Sequence, residues 1–81
     1  MSAAPPRALQ PSGHLLKRSF RLAGHRTSIA LETEFWRALE EVAERRGESL
    51  AALVTTLDAE RTDPAQSLAS ALRVFALAER R

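Results

Sequence analysis

The sequence predicts a mainly α-helical protein with one short β-strand on the N-terminal side of three helices. Two patterns give this prediction: apolar residues alternate singly over residues 26–31, and they return at steps of three and four from Phe35 onward. The chain has 81 residues and no cysteine, so disulfides and thiolate metal sites cannot stabilise it. Because a chain this short buries only about 60% of its unfolded surface, we expect oligomerisation to supply stability.

The first sixteen residues, "MSAAPPRALQPSGHLL", contain three prolines and one glycine. This composition predicts a disordered basic arm over residues 1–16, followed by a folded domain over residues 17–81. The arm lacks an apolar run of signal-peptide length, and no later segment approaches a membrane span. We therefore expect a soluble, cytoplasmic protein without a membrane partner.

Two runs of alternating residues precede the helices. In residues 26–31, one face holds Thr27, Ile29 and Leu31, and the other holds Arg26, Ser28 and Ala30. In residues 17–22, Phe20 and Leu22 oppose Lys17, Ser19 and Arg21. A turn over residues 23–25 would join the runs into a hairpin, since glycine tolerates positive φ. The run over residues 26–31 predicts the strand. Whether residues 17–22 form an extra strand is left open.

The first helix is predicted over residues 33–46, between an N-cap at Thr33 and a C-terminal stop at Gly47. Its apolar stripe consists of Phe35, Trp36, Leu39, Val42 and Ala43. The second helix is predicted over residues 49–60 with Ser49 as its N-cap. Its stripe consists of Leu50, Leu53, Val54 and Leu57.

The third helix is predicted over residues 64–80. Asp63, Pro64 and Gln66 match an N-cap, a first-turn proline and a capping-box partner. Its stripe consists of Leu68, Ala71, Leu72, Phe75 and Ala78. Val74 and Leu77 add apolar surface elsewhere on the helix, which favours burial between subunits.

The charges are divided along the chain. Residues 1–31 contain five basic residues and no Asp or Glu, whereas residues 32–81 hold seven basic residues against ten acidic ones. A cationic N-terminal part that includes the predicted strand favours a polyanionic partner such as nucleic acid, and a basic tail that only improves solubility is the alternative.

A strand, a helix, a tight Gly-x-Ser turn and a second helix follow one another in "RTSIALETEFWRALEEVAERRGESLAALVTTL". In this order the chain resembles the ribbon-helix-helix DNA-binding proteins over about residues 26–60. The segments "GHRTSIALETEFWRALEEVA" and "SLASALRVF" extend the resemblance, to small bacterial members of the family, as far as about residue 77.

The resemblance implies an intertwined homodimer with an additional C-terminal helix. Two copies of the strand pair antiparallel into a ribbon between subunits, and this ribbon enters the major groove of double-stranded DNA. A strand with two unpaired edges would thereby find its partner in its own copy. Higher oligomers on tandem sites are also expected.

The resemblance also implies the roles of the strand residues. If Thr27, Ile29 and Leu31 face the helices, the base contacts come from Arg26, Ser28 and Ala30. Arg26 can bind guanine with two hydrogen bonds, Ser28 can donate or accept, and Ala30 offers only a methyl group. Family members commonly have a longer polar residue at the last of these positions, so Ala30 departs from the pattern.

Phosphate contacts are expected from residues outside the base-contact set. The resemblance assigns one to the start of the second helix at Ser49, where free N–H groups bind anions. Because Ser49 also fits a simple N-cap, both roles stay open. Basic residues before the strand complete the phosphate set, which consists of Lys17, Arg18, Arg21 and His25.

Catalytic and metal-binding residues are not predicted. His14 and His25 are too few for a metal site, and no nucleophile, paired carboxylates or phosphate loop is recognisable. We expect no cofactor and no enzyme activity. Phe35, Trp36 and Phe75 are predicted core residues, and Glu40, Glu41 and Glu44 a solvated face.

Two functions follow from these patterns. The first is a sequence-specific DNA-binding regulator, most simply a repressor, associated with the nucleoid when bound. The alternative is a dimeric protein-interaction module, such as an antitoxin-like or phage-derived adaptor, whose C-terminal helix holds a protein partner and whose DNA binding is secondary. The operator, the regulated genes and any effector are not encoded in these patterns.

Overall fold

A computed structural model describes residues 14–79 and contains a β-hairpin followed by three helices. The strands are β1 (Leu15–Leu22) and β2 (His25–Glu32). The helices are α1 (Thr33–Arg46), α2 (Leu50–Glu60) and α3 (Leu68–Glu79). The three helices pack against one another and against the same face of the hairpin. Residues 1–13 of the predicted arm and residue 80 of the predicted third helix lie outside the described residues.

The open question of an extra strand over residues 17–22 is answered by the antiparallel pairing of β1 with β2 within one chain. The domain has two strands and not the single strand expected. The strands align Ser19 with Ser28, and the pairing runs from Leu15 opposite Glu32 to Leu22 opposite His25. Leu15 and Leu16, predicted to belong to the arm, thus begin β1. The predicted strand, β2, is therefore not a lone strand with two unpaired edges. Only one edge of β2 lacks a partner within the described chain.

Ala23 and Gly24 form the two-residue turn of the hairpin. Both residues have positive φ, 52° at Ala23 and 83° at Gly24. This combination is typical of a type I′ turn, whose twist matches that of the flanking strands. Glycine adopts it without strain, whereas the Cβ of alanine makes the left-handed region unfavourable. The turn is therefore tight and mildly strained at Ala23.

The hairpin divides its side chains between a buried face and an outer face, as the alternation predicts. Phe20, Leu22, Ile29 and Leu31 are buried beneath it. The helices complete one core with Trp36, Leu39, Val42, Ala43, Leu53, Val54, Leu57, Leu72 and Ala76. A single chain thus buries one face of each helix, and the expected burial of Val74 and Leu77 between subunits stays a prediction.

The ends of α1 differ from one another in how well local signals predict them. Gly47 adopts the left-handed conformation with φ of 70° and donates to the Glu44 carbonyl, while Glu48 donates to the Ala43 carbonyl. These two bonds form a Schellman motif and confirm the predicted stop. The Thr33 N-cap was wrong, because β2 runs directly into the helix and Glu32 occupies the cap position without a side-chain bond.

The connection between α2 and α3 is a turn, and α3 begins four residues later than predicted. Asp63 accepts from Ala65 N–H at 2.9 Å, but this bond closes only a turn. Arg61 holds the segment by donating to the Gln66 carbonyl at 2.7 Å. The cap of α3 is Ser67, whose hydroxyl accepts from Ser70 N–H at 3.0 Å.

The exposed side of α3 also differs in part from the expectation. Leu72 and Ala76 are buried, Phe75 is half-buried, and Ala78 is exposed although the predicted stripe includes it. Val74 and Leu77 are 56% and 55% exposed. The apolar surface of α3 is thus wider than the part buried within the chain.

An ion pair ties α3 to the junction of β2 and α1. Arg73 Nε donates to Glu32 Oε1 at 2.9 Å, and the Arg73 guanidinium lies 5.9 Å from the centre of the Phe35 ring. The hydrogen bond from Arg73 lowers the pKa of the Glu32 carboxyl from its ordinary value. The carboxylate that could have capped α1 is therefore committed to α3.

We expect Ala23→Asn to stabilise the protein by about 1 kcal/mol, because asparagine tolerates positive φ better than alanine and favours type I′ turns. The midpoint of thermal unfolding by circular dichroism would measure it. Gly24→Ala is the matched control, with φ of 83° and no described atom within 4 Å of an added Cβ. Gly24→Ala should destabilise the protein by a similar amount. A change of the same sign in both variants would contradict a type I′ turn.

Candidate nucleic-acid interface

The outer face of the hairpin brings together six of the alternating residues. The register places Lys17 opposite Ala30, Ser19 opposite Ser28 and Arg21 opposite Arg26. Five of these side chains are exposed and Ala30 is half-buried. We call these six residues the outer face. The predicted base-contact residues on β2 thus lie beside two of the predicted phosphate contacts on β1.

The outer face has three positive charges and no acidic residue among its six members. Lys17, Arg21 and Arg26 take part in none of the ion pairs formed within residues 14–79. At its centre, the Ser19 and Ser28 hydroxyl oxygens lie 3.1 Å apart and share a hydrogen bond. Uncompensated cations around polar hydroxyls form a surface suited to an anionic, hydrogen-bonding ligand.

Arg18 is separated from this group, although the sequence places it with the phosphate contacts. Its Nη1 donates to Glu40 Oε2 on α1 at 2.7 Å, and its guanidinium lies 5.2 Å from the centre of the Trp36 ring. An even-numbered position on β1 turns the side chain toward the helices. Arg18 therefore joins β1 to α1 and has its charge already paired.

Trp36 fixes the hairpin from beneath. Its ring is 1% exposed, its Nε1 donates to the Leu16 carbonyl at 2.7 Å, and its centre lies 5.8 Å from that of Phe20. A buried indole with its only donor satisfied is a core residue, as predicted, and cannot stack on a base. The hydrogen bond holds the first part of β1 against α1.

Ser49 caps α2, as the sequence predicts. Its hydroxyl accepts from Ala52 N–H at 3.0 Å. The N–H groups of Leu50 and Ala51 have no acceptor four residues earlier in the helix, so this end retains donors for an anion. The Glu48 carboxylate precedes it and lies 3.9 Å from Arg46. The N-terminus of α2 thus has both anion-binding donors and a neighbouring negative charge.

His25 lies at the tip of the hairpin. It is exposed, and its position opposite Leu22 gives it the inward parity of β2. The structure therefore places it next to the turn and apart from the row formed by Lys17, Ser19 and Arg21.

The sequence prediction omitted Ser19 from the candidate residues. The alternation in residues 17–22 already put Ser19 on the face of Lys17 and Arg21. Its position opposite Ser28 depends on the hairpin register, which the open question about an extra strand left undecided.

His, Asp and Glu side chains of residues 14–79 do not gather into a group that could hold a metal ion. Over the same residues, no helix combines the length and the apolar character needed to cross a membrane.

Comparisons with known proteins identify the same architecture. A family model described as a ribbon-helix-helix domain matches residues 15–79. A solved structure of an uncharacterized protein from Bordetella pertussis Tohama I is similar, with a TM-score of 0.70 and 32% sequence identity. The match covers 94% of this chain and 66% of that one. No curated protein matches the sequence.

We expect Arg18→Ala to lower the free energy of unfolding by about 0.5–1 kcal/mol, because it removes a partly exposed ion pair and a cation–π contact. Arg21→Ala is the control on the same strand, and it should change stability by less than about 0.5 kcal/mol. Urea unfolding followed by Trp36 fluorescence would compare them. A larger loss of stability in Arg21→Ala than in Arg18→Ala would contradict the assignment of Arg18 to the face of β1 that contacts the helices.

Proposed function

Because the chain belongs to the ribbon-helix-helix domain family, we propose that it is a sequence-specific DNA-binding regulator that acts as a homodimer. Ribbon-helix-helix domains generally bind DNA as dimers. The observation that supports the proposal most is the outer face, on which Lys17, Arg21 and Arg26 surround two serines without a compensating acid. We further propose that the protein represses transcription by occupying its operator.

The free edge of β2 is the proposed dimer contact. Its backbone N–H and C=O groups have no strand partner in the described chain. Antiparallel pairing of β2 with its copy would give a four-stranded sheet in which the two β2 strands are central and the two β1 strands lie outside. Val74 and Leu77 of α3 are exposed apolar surface in the single chain.

The width of such a sheet supports a division of the proposed DNA contacts between the strands. Neighbouring strands are about 4.8 Å apart, so the outer two of four strands lie about 14 Å apart. The major groove is about 12 Å wide and admits two strands. The two β2 strands would therefore enter the groove with Arg26, Ser28 and Ala30 toward the bases. The β1 strands would lie at its walls, where the longer Lys17 and Arg21 reach phosphates.

The remaining proposed phosphate contacts lie at the start of α2 and at the tip of the hairpin. The free donors at the start of α2 support a contact by the backbone around Ser49, although Glu48 opposes it. His25 would contact DNA only at the hairpin tip. Arg18, already paired with Glu40, is left out of the proposed phosphate set.

A protein-interaction module is the second candidate function. It is favoured by the exposed apolar residues Val74 and Leu77. Of the two, Leu77 lines a groove of about 270 Å³ between α1 and α3. Titration against random duplex DNA at two salt concentrations separates the regulator from a module that binds only protein. Salt-sensitive binding is expected of the regulator and not of a module that binds only protein.

We expect Arg26→Ala to weaken binding to the preferred duplex by about 1–3 kcal/mol for each bidentate arginine–guanine pair removed, and to relax the preference at one base pair in each half-site. The preferred duplex would first be selected from random sequences, and affinities measured by fluorescence anisotropy. Unchanged preference in this variant would contradict the assignment of Arg26.

The matched controls are Lys17→Ala and Arg21→Ala, which remove cations from the same face of β1. Each should weaken all duplexes alike and reduce the slope of log affinity against log salt by about one for each phosphate that is no longer neutralised. A selective loss of one base preference in either control would contradict the assignment of β1 to the groove walls.

The proposed dimer can be tested by cross-linking, because the chain contains no cysteine. We expect Arg26→Cys, Ser28→Cys or Ala30→Cys, oxidised alone or in pairwise mixtures, to give a covalent dimer on a non-reducing gel. Paired positions across two central strands meet the distance limits of a disulfide. Ser19→Cys is the control, since its copy would lie about 14 Å away across four strands. Cross-linking of Ser19→Cys alone would indicate a different dimer.

A further inference from the structure

The Ser19–Ser28 pair lies at the centre of the outer face, between the Arg21–Arg26 pair near the turn and the Lys17–Ala30 pair nearer the helices. The two hydroxyl oxygens are 3.1 Å apart, and either hydroxyl can be the donor. Both side chains are exposed, so the bond contributes little to the core. Because Ser28 is the middle one of the three proposed base contacts, the relevant question is how the bond from Ser19 affects that contact.

The chemistry of serine explains why a neighbour matters. A serine hydroxyl has one donor and two acceptor positions, and it rotates to suit its partner. An isolated Ser28 could therefore contact donors and acceptors on base edges alike, and it would discriminate poorly between bases. When one of its hydrogen-bonding positions is taken by a hydroxyl on the neighbouring strand, fewer orientations remain for the base.

Ser19 cannot make the base contact itself in the proposed sheet. It lies on β1, which the width of the groove places at the wall, and its side chain is the shortest hydroxyl. Lys17 and Arg21 on the same strand have the length to reach phosphates, and Ser19 does not. Its reach is limited to the neighbouring strand, where Ser28 lies.

We propose that Ser19 is a positioning residue that orients the Ser28 hydroxyl and thereby sharpens base preference at the position that Ser28 contacts. The inference rests on the proposed DNA-binding function. In this proposal β1, which makes no base contact itself, contributes to base preference through one hydrogen bond to β2.

The test compares Ser19→Val with Ser19→Thr. The two replacements have the same shape and both suit a strand, but only threonine keeps the hydroxyl. Affinities would be measured by anisotropy for the preferred duplex and for duplexes altered at single base pairs. Ser28→Ala identifies the base pair that Ser28 contacts. The double variant Ser19→Val/Ser28→Ala tests whether Ser19 acts through Ser28. Circular dichroism melts check that every variant is folded.

The expected result is that Ser28→Ala lowers discrimination at one base pair by about 3- to 10-fold, the effect of one neutral hydrogen bond. Ser19→Val should lower discrimination at that same base pair, and the double variant should lose no more than Ser28→Ala alone. Ser19→Thr should retain the preference of the natural chain. Binding of Ser19→Val and Ser19→Thr to random duplexes should stay unchanged.

Two outcomes would overturn the inference while leaving the proposed function intact. In the first, the natural chain prefers one duplex and Ser19→Val keeps the full preference. In the second, the effects of Ser19→Val and Ser28→Ala on discrimination add, which would show that the serines act independently. A natural chain that binds all duplexes equally would instead overturn the proposed sequence-specific function and this inference together.

Discussion

The antiparallel pairing of β1 with β2 is the interaction on which the rest of the structure depends. The side chains of a strand alternate between faces, so the register that sets Ser19 against Ser28 decides the face of every hairpin residue. A slip by one residue would expose Ile29 and Leu31 and turn Arg26 and Ser28 toward the core. Burial of Leu31 and Trp36 beneath the sheet makes such a slip unfavourable, so the apolar core and the outer face are selected together.

Local patterns predict much of this fold, and they fail where distant residues decide. Alternation predicts both faces of the hairpin, and Gly47 predicts the end of α1, because each depends on a few neighbouring residues. Asp63 and Ser67 are both good N-caps, and sequence alone cannot choose between them. The choice follows from Arg61, which holds the Gln66 carbonyl and keeps residues 64–66 in a turn. Thr33 loses the cap position for a similar reason, since β2 extends through Glu32.

In the candidate interface too, distant residues decide which basic side chains are paired within the fold. Lys17, Arg18 and Arg21 are alike in the sequence, and only parity along β1 separates them. Arg18 faces Glu40, which is 22 residues away, and Trp36, so its charge is used within the fold. The base-contact and phosphate assignments stay predictions, because they concern a ligand that the chain alone does not specify. What the structure adds is their common surface, on which cations from two strands flank a pair of serines.

The two-residue turn between β1 and β2 also determines when the sheet can form during folding. A hairpin closed by a short turn forms in about 1–10 μs, whereas a ribbon made from two chains must wait for the chains to meet. Half of the proposed four-stranded sheet is thus complete in a newly folded single chain, with its core already buried. A second copy would meet a preformed edge, and association would be the docking of folded subunits. Such subunits could separate and exchange partners without unfolding.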